Sequence, residues 1–130
     1  LEKFSQCKTL TGFFKKDRPR RKLRKLIKEK RLDEALEFSH SIEKNYENDP
    51  DIDFIIGTIY FLKGDSKKTL SYMDKVLDIA EYDIDALALK ATVLLHLKNK
   101  EEVMLCCDKI RTIDPKNQTV KEILYKLKEI

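Results

Sequence analysis

Apolar residues recur at intervals of three and four positions in blocks of about one helix length, and short polar segments separate these blocks. Asp49 followed by Pro50 predicts a helix start, because Asp caps helix N-termini and Pro suits the first turn. The Lys63–Gly64–Asp65 segment predicts the end of that helix, and a second block follows it. The pattern predicts two helices joined by a short turn, with apolar positions Phe54, Ile56, Gly57, Tyr60, Phe61, Leu70, Met73, Val76 and Leu77.

The same pattern returns every 34 residues. Gly57, Ala91 and Tyr125 are spaced at this interval. A fixed period of this size is typical of stacked helix pairs, in which no pair can bury its apolar face alone. We therefore expect an all-α fold. Four further sets keep the interval: Ala35, Thr69 and Val103; Leu36, Leu70 and Met104; Leu26, Tyr60 and Leu94; Ile42, Val76 and Ile110.

The spacing and several residue types resemble the tetratricopeptide repeat (TPR). The matching residues are Gly57, Tyr60, Gly64–Asp65 and Val76, with Ala35, Ala91 and Pro115 in the flanking repeats. The resemblance implies a right-handed superhelix of antiparallel helix pairs. Its expected parts are an N-terminal segment or cap (1–15), three repeats (16–49, 50–83 and 84–117) and a C-terminal capping helix (118–130).

Some positions depart from the TPR pattern. Asp53 stands where a large residue is usual, and Lys90 stands at a usual leucine place. Pro19 and Leu23 replace the large and small residues expected in the first repeat. These departures make the first repeat the weakest match.

In TPR arrays the first helix of each pair lines a concave groove, so the resemblance implies a protein–protein interaction module with a scaffold or adaptor role. The expected ligand is a peptide or amphipathic helix anchored on Phe54, Phe61 and Leu95. The candidate groove residues are Phe54, Thr58, Phe61 and Leu62 in the second repeat, and Ala88, Thr92, Leu95 and His96 in the third. Asp51 and Asp85 begin these rows, and Arg20, Arg24, Ile27 and Lys28 correspond to them in the first repeat.

TPR domains that hold chaperone C-termini use a carboxylate clamp of Lys, Asn and Arg. The matching places in this sequence hold Phe54, Thr58 and Leu89. We therefore expect no recognition of chaperone tails through that clamp.

Charge is distributed unevenly. The net charge is +4, but residues 1–31 hold 13 Lys or Arg against three acids, and residues 32–130 hold 14 against 20. Segment 15–31 alone carries eleven cations. Four interpretations stay open: a solvated helix face with Leu23, Leu26 and Ile27 turned inward, an acidic protein partner, a nucleic acid or anionic membrane, or self-association with the acidic part of another copy. The candidate basic patch is Arg20, Arg21, Arg24, Lys25 and Lys28.

Residues 1–14 contain Leu1, Phe4, Cys7, Phe13 and Phe14 without good register to the repeat. This segment is expected either to cap the first repeat or to fold back into the groove.

No set of residues predicts catalysis or a cofactor. His40 and His96 lie in different repeats without a nucleophile at useful spacing, and no zinc-ligand spacing occurs. We therefore expect neither an enzyme nor a metal site. Three cysteines without disulfide spacing favour a reducing, cytoplasmic setting. Cys107 is expected to be a small core residue, because it falls where Met73 and Ser39 do.

Overall fold

A computed structural model describes residues 18–130, and this part of the chain contains helices and no strand. The expectation of an all-α helical repeat fold is confirmed. Helix α1 is described over 18–28. The others are α2 (Leu32–Ile42), a 3-10 turn (Glu43–Tyr46), α3 (Pro50–Leu62), α4 (Ser66–Ile79), α5 (Ile84–His96), α6 (Lys100–Ile113) and α7 (Gln118–Leu127).

The chain divides into two compact units, Leu1–Glu47 and Asn48–Ile130. In the N-terminal unit, Leu23 and Leu26 of α1 are buried, and the Lys22 ammonium lies 4.2 Å from the centre of the Phe38 ring of α2. Leu23 and Leu26 therefore turn inward, as one of the four interpretations of segment 15–31 expected, whereas Ile27 is half-buried. Segment 1–14, with its two alternative placements, lies outside the described residues.

The turn inside each helix pair repeats in its backbone geometry as well as in its sequence position. Lys30, Gly64 and Lys98 are 34 residues apart, and each has a positive φ, of 61°, 82° and 62°. In all three turns the next residue donates its backbone N–H to the carbonyl five positions earlier, as Asp65 does to Tyr60 at 2.9 Å. This bond belongs to a helix C-terminal motif that favours glycine at the left-handed residue. The break predicted at Lys63–Gly64–Asp65 is confirmed.

Most of the helices start at a residue whose side chain caps the first turn. The Asp49 carboxylate accepts from the backbone N–H groups of Asp51 and Ile52, and Pro50 occupies the first turn, so the predicted start of α3 is confirmed. Asp83 and Asn117 repeat this cap at 34-residue steps for α5 and α7. Asp65 and Asn99 cap α4 and α6 in the same way. Each such cap contributes about 1 kcal/mol to helix stability.

The core of the C-terminal unit follows the repeat positions. Thr69 and Val103 are completely buried, as is Ala35 in the other unit. Cys107 is likewise buried, which confirms its predicted place in the core. The apolar side of α7 packs through Val120 and Ile123 into a cluster with residues of α5 and α6.

Gly57 marks a close approach of α3 and α4. A Cβ atom added there would lie 2.3 Å from Met73 Cε and 3.0 Å from Tyr72 Cβ. One turn further along α3, the Tyr60 ring stacks on the Tyr72 ring with a centroid distance of 5.7 Å. The missing side chain therefore lets the two helices meet, and the tyrosines fill the space beside the contact.

Candidate functional site

The candidate groove residues of α3 form one stripe along the helix. Phe54, Thr58, Phe61 and Leu62 are spaced by four, three and one positions, so they share a face. None of them is buried, and Phe61 and Leu62 are 38% and 49% exposed. The opposite faces of α3 carry the completely buried isoleucines, among them Ile56. From Phe54 to Leu62, helix α3 is therefore uncharged on its exposed side as well as on its buried side.

The candidate residues of α5 are less accessible. Ala88 and Leu95 are half-buried and pack against the core cluster of α5, α6 and α7. Thr92 is half-buried, and His96 is exposed at the last position of the helix. Leu95 therefore offers a partly covered surface, in contrast to Phe61 at the corresponding position of α3.

Thr58 on α3 and Thr92 on α5 both donate a hydrogen bond from the hydroxyl group to a carbonyl of their own helix. Thr58 Oγ1 donates to the Phe54 carbonyl at 2.9 Å, and Thr92 Oγ1 donates to the Ala88 carbonyl at 2.8 Å. A threonine in a helix often bonds to the carbonyl four residues earlier. These positions therefore do not supply hydroxyl donors for a ligand while the internal bonds persist.

The apolar stripe does not continue on α7. Glu122 and Lys126 on α7, and Glu129 just after its end, occupy the places that Phe54, Thr58 and Phe61 have two repeats earlier. All three are exposed. The uncharged stripe is therefore confined to α3 and α5.

The candidate basic patch lies in the N-terminal unit. Arg20 is half-buried, and Arg21, Arg24, Lys25 and Lys28 are exposed on α1. The last four are spaced by three, one and three positions, so they form a single cationic stripe. We refer to these four residues as the α1 basic stripe.

A second surface of the C-terminal unit, which the sequence pattern did not reveal, is a cleft of about 690 Å³ formed by residues of α4, α5 and α6. Its charged groups include Lys90, whose Nζ lies 2.8 Å from Asp74 Oδ1. Lys109 Nζ lies 3.5 Å from Glu81 Oε1. The sequence contained one signal for this cleft. Lys90 stands where the TPR pattern usually has leucine, and a charged group at such a position needs a partner.

Electrostatics in this cleft favour positive charge. Burial by itself would lower the pKa of Lys90, but its hydrogen bond to Asp74 and the charge of Asp74 outweigh burial, with further contributions from Cys106 and Glu102. The net pKa of Lys90 is therefore raised. Burial raises the pKa values of the Cys106 and Cys107 thiols, so both favour the protonated, less nucleophilic form.

Residues 18–130 contain neither a cluster of metal ligands nor a helix that could span a membrane. No group of three or more His, Cys, Asp or Glu side chains in this part of the chain is placed to hold a metal ion. Among the helices described, none is both long enough and apolar enough to cross a membrane.

Comparison with solved structures shows the fold. The first TPR domain of Spaghetti (RPAP3), bound to the HSP90 peptide SRMEEVD, matches with a TM-score of 0.79 and 16% identity over 85% of this chain and 88% of that one. A tetratricopeptide repeat protein from Parabacteroides merdae matches with a TM-score of 0.76 and 19% identity. That match covers 80% of this chain and 41% of the bacterial one. No family model and no curated protein matches the sequence. The chain therefore has a TPR-like fold.

Proposed function

We propose that the chain is a non-catalytic protein-interaction module that binds a peptide or amphipathic helix on the first helices of its repeats. The observation that carries this proposal is the uncharged stripe on α3, where Phe54, Phe61 and Leu62 all remain accessible. Exposed aromatic side chains are frequent anchors in protein interfaces, where they add apolar area at low cost in conformational entropy. The role is that of a scaffold or adaptor.

The ligand is expected to contact α3 first and α5 second. Phe61 is exposed, whereas its counterpart Leu95 already packs against the core cluster. Apolar side chains of the ligand would cover Phe54, Phe61 and Leu62, and the α5 residues Ala88, Thr92, Leu95 and His96 would form the adjoining part of the surface. The internal hydrogen bonds of Thr58 and Thr92 favour contact with their methyl groups.

Acidic chaperone tails are not the expected ligands. A carboxylate is held well by charged or amide donors, and the α3 stripe consists of two phenylalanines, a threonine and a leucine. The peptide SRMEEVD, which the Spaghetti domain binds, is therefore expected to bind this chain weakly or not at all.

The α1 basic stripe would assist this interaction by long-range attraction of an acidic ligand. Such attraction mainly raises the association rate. An acidic ligand would therefore associate faster at low salt.

The test is selection from a displayed library of random 15-residue peptides with the whole chain, followed by titration of one selected peptide. Phe61→Glu places a charge in the stripe and is expected to weaken binding by at least about tenfold, since desolvating a charge against apolar groups is costly. Tyr125→Glu is the matched control, because Tyr125 is an exposed aromatic of α7 outside the stripe. Circular dichroism confirms that both variants remain helical.

Three results would count against the proposal: no peptide is selected, the selected peptide binds Phe61→Glu as tightly as the original chain, or Tyr125→Glu weakens it equally. A variant with Arg20, Arg21, Arg24 and Lys25 changed to Ser measures the accessory role. If this variant alone loses the peptide, the basic segment and not the stripe is the binding surface.

A further inference from the structure

The cleft formed by α4, α5 and α6 combines negative charge with an exposed apolar side chain. Its lining contains four carboxylates and two ammonium groups. Two of the carboxylates, Asp74 and Glu81, pair with Lys90 and Lys109. Leu105, which also lines the cleft, is 56% exposed. The remaining two carboxylates are Asp78 and Glu102.

Asp78 and Glu102 leave the cleft with uncompensated negative charge. Both are exposed, and neither forms an ion pair with any residue in the described range 18–130. Glu102 also adds to the raised pKa of Lys90, after the larger contributions of its hydrogen bond to Asp74 and of the Asp74 charge, which together outweigh burial. A segment with Lys or Arg side chains fits this surface, because their aliphatic stems can cover Leu105 while their charged ends reach the carboxylates.

The chain itself carries a segment of this chemistry. Residues 18–28 contain seven Lys or Arg and no acid. Leu23 and Leu26 of α1 are buried, so the exposed side of this helix is cationic. Arg24, Lys25 and Lys28 form no ion pair within residues 18–130. Their spacing along α1 spans about 6 Å of helix axis, at 1.5 Å per residue.

We propose that two copies of the chain associate head to tail, with the α1 basic stripe of one copy docked in the α4–α6 cleft of the other. Charge complementarity carries the proposal: each copy holds a cationic helix face and a separate cleft with a carboxylate excess. The contact joins two different surfaces, so one copy of the pair retains an unoccupied cleft and the other retains an unoccupied stripe. Such heterologous contacts produce rings or open chains, in contrast to self-complementary contacts, which end at a dimer.

The association is expected to be weak and dependent on salt. Exposed ion pairs each contribute little, and several must act together. The screening length falls from about 10 Å at 0.1 M salt to about 3 Å at 1 M. Association should therefore increase with protein concentration at the lower salt and disappear at the higher one.

Sedimentation velocity of the full chain at these two salt concentrations tests the proposal, with two charge-reversed variants. The cleft variant carries Asp78→Lys and Glu102→Lys, and the helix variant carries Arg24→Glu and Lys25→Glu. Each is expected to weaken association by at least about tenfold, because each brings like charges together. The matched control carries Glu122→Lys on α7 and Glu129→Lys just after the end of α7. Both residues lie outside the cleft, so this control should associate as the original chain does. If reversal at Glu102 unfolds α6, the milder pair Asp78→Asn and Glu102→Gln replaces it.

Mixing the two variants gives the sharpest result. The cleft variant retains an intact basic stripe, and the helix variant retains an intact cleft. An equimolar mixture should therefore associate, although each variant alone is monomeric. A monomeric original chain at low salt overturns the proposal and leaves a basic segment of another protein as the occupant to test. Failure of the mixture to associate, or equal weakening in the α7 control, also overturns it. Because none of these variants alters the α3 stripe, the peptide titration can succeed or fail independently.

Discussion

Helices α3 and α7 occupy the same place in the 34-residue repeat, yet their surroundings differ. Six of the 13 residues of α3 are buried, compared with two of the 10 residues of α7. Gly57 of α3 lies against α4, whereas Tyr125 at the same repeat position of α7 is 68% exposed. Residues at the same repeat position therefore lie on the same face of their helices. Whether such a residue is buried depends on the helices that pack beside it.

The outward faces of the two helices differ in chemistry as well. Phe54 and Phe61 on α3 correspond to Glu122 on α7 and to Glu129, which lies just after the end of α7. Core positions must keep apolar groups of suitable size, but exposed positions are free of that constraint. The part of the surface that distinguishes one repeat from another is therefore where a specific ligand would bind.

The largest effect is expected from removing core volume in α3. Ile56 is completely buried, so Ile56→Ala should lower the free energy of unfolding by about 2–5 kcal/mol. Tyr125→Ala on α7 should change it by less than about 0.5 kcal/mol. Urea denaturation followed by circular dichroism measures both. Similar losses in the two variants would contradict the contrast between a surrounded and an exposed helix.

Adding volume at the shared repeat position is expected to have the next largest effect. Gly57→Val forces the added atoms against Tyr72 and the tightly packed Met73, so a loss of about 1–3 kcal/mol in unfolding free energy is expected. Tyr125→Val should be nearly neutral. If Gly57→Val kept its unfolding free energy in the same urea experiment, that result would contradict the close approach of α3 and α4.

Smaller effects are expected at the turns, where residues at the same repeat position also have the same backbone geometry. Lys98→Gly should raise the unfolding free energy by up to about 1 kcal/mol, because a non-glycine residue is strained at a positive φ. Gly64→Lys should lower it by a similar amount. Thermal and urea unfolding of the two variants measure these opposite signs, and a change of the same sign in both would contradict the shared geometry.

The smallest effect on unfolding free energy is expected from a change of pH. It acts on two cysteines in the cluster formed by α5, α6 and α7. Burial raises the pKa values of the Cys106 and Cys107 thiols in the folded chain. The unfolded thiols ionise near pH 8.5, so the stability that these groups contribute is present below about pH 8.5 and falls as the pH rises further. The fall in urea midpoint toward higher pH should be shallower when both cysteines are changed to Ala. An equally steep fall would show that other groups cause the pH dependence.

Much of the fold follows from the sequence pattern. The Asp49–Pro50 start, the Gly64 break and the burial of Cys107 were each predicted, because caps, turns and core positions depend on nearby residues and on the repeat. The inward direction of Leu23 and Leu26 belonged to only one of the four interpretations that the sequence left open for segment 15–31. Left-handed residues at Lys30 and Lys98 were missed, because lysine carries no local signal for a positive φ.

The candidate surfaces were harder to predict. Projection of the helical period indicated the α3 stripe, but it did not distinguish exposed Phe61 from partly covered Leu95, since that difference depends on how α7 and α6 pack. The α4–α6 cleft was missed entirely. Its ion pair joins Lys90 to Asp74 on a different helix, and such a contact becomes visible only when the helices are placed side by side.

The most direct test of the binding surface is a methyl NMR spectrum of the chain, recorded with and without a selected peptide. We expect the largest shifts at the methyl groups of Thr58, Leu62 and Thr92, with little change at Leu105 in the cleft. Shifts at Leu105 with none in the α3 stripe would contradict the account and place peptide binding on the other surface.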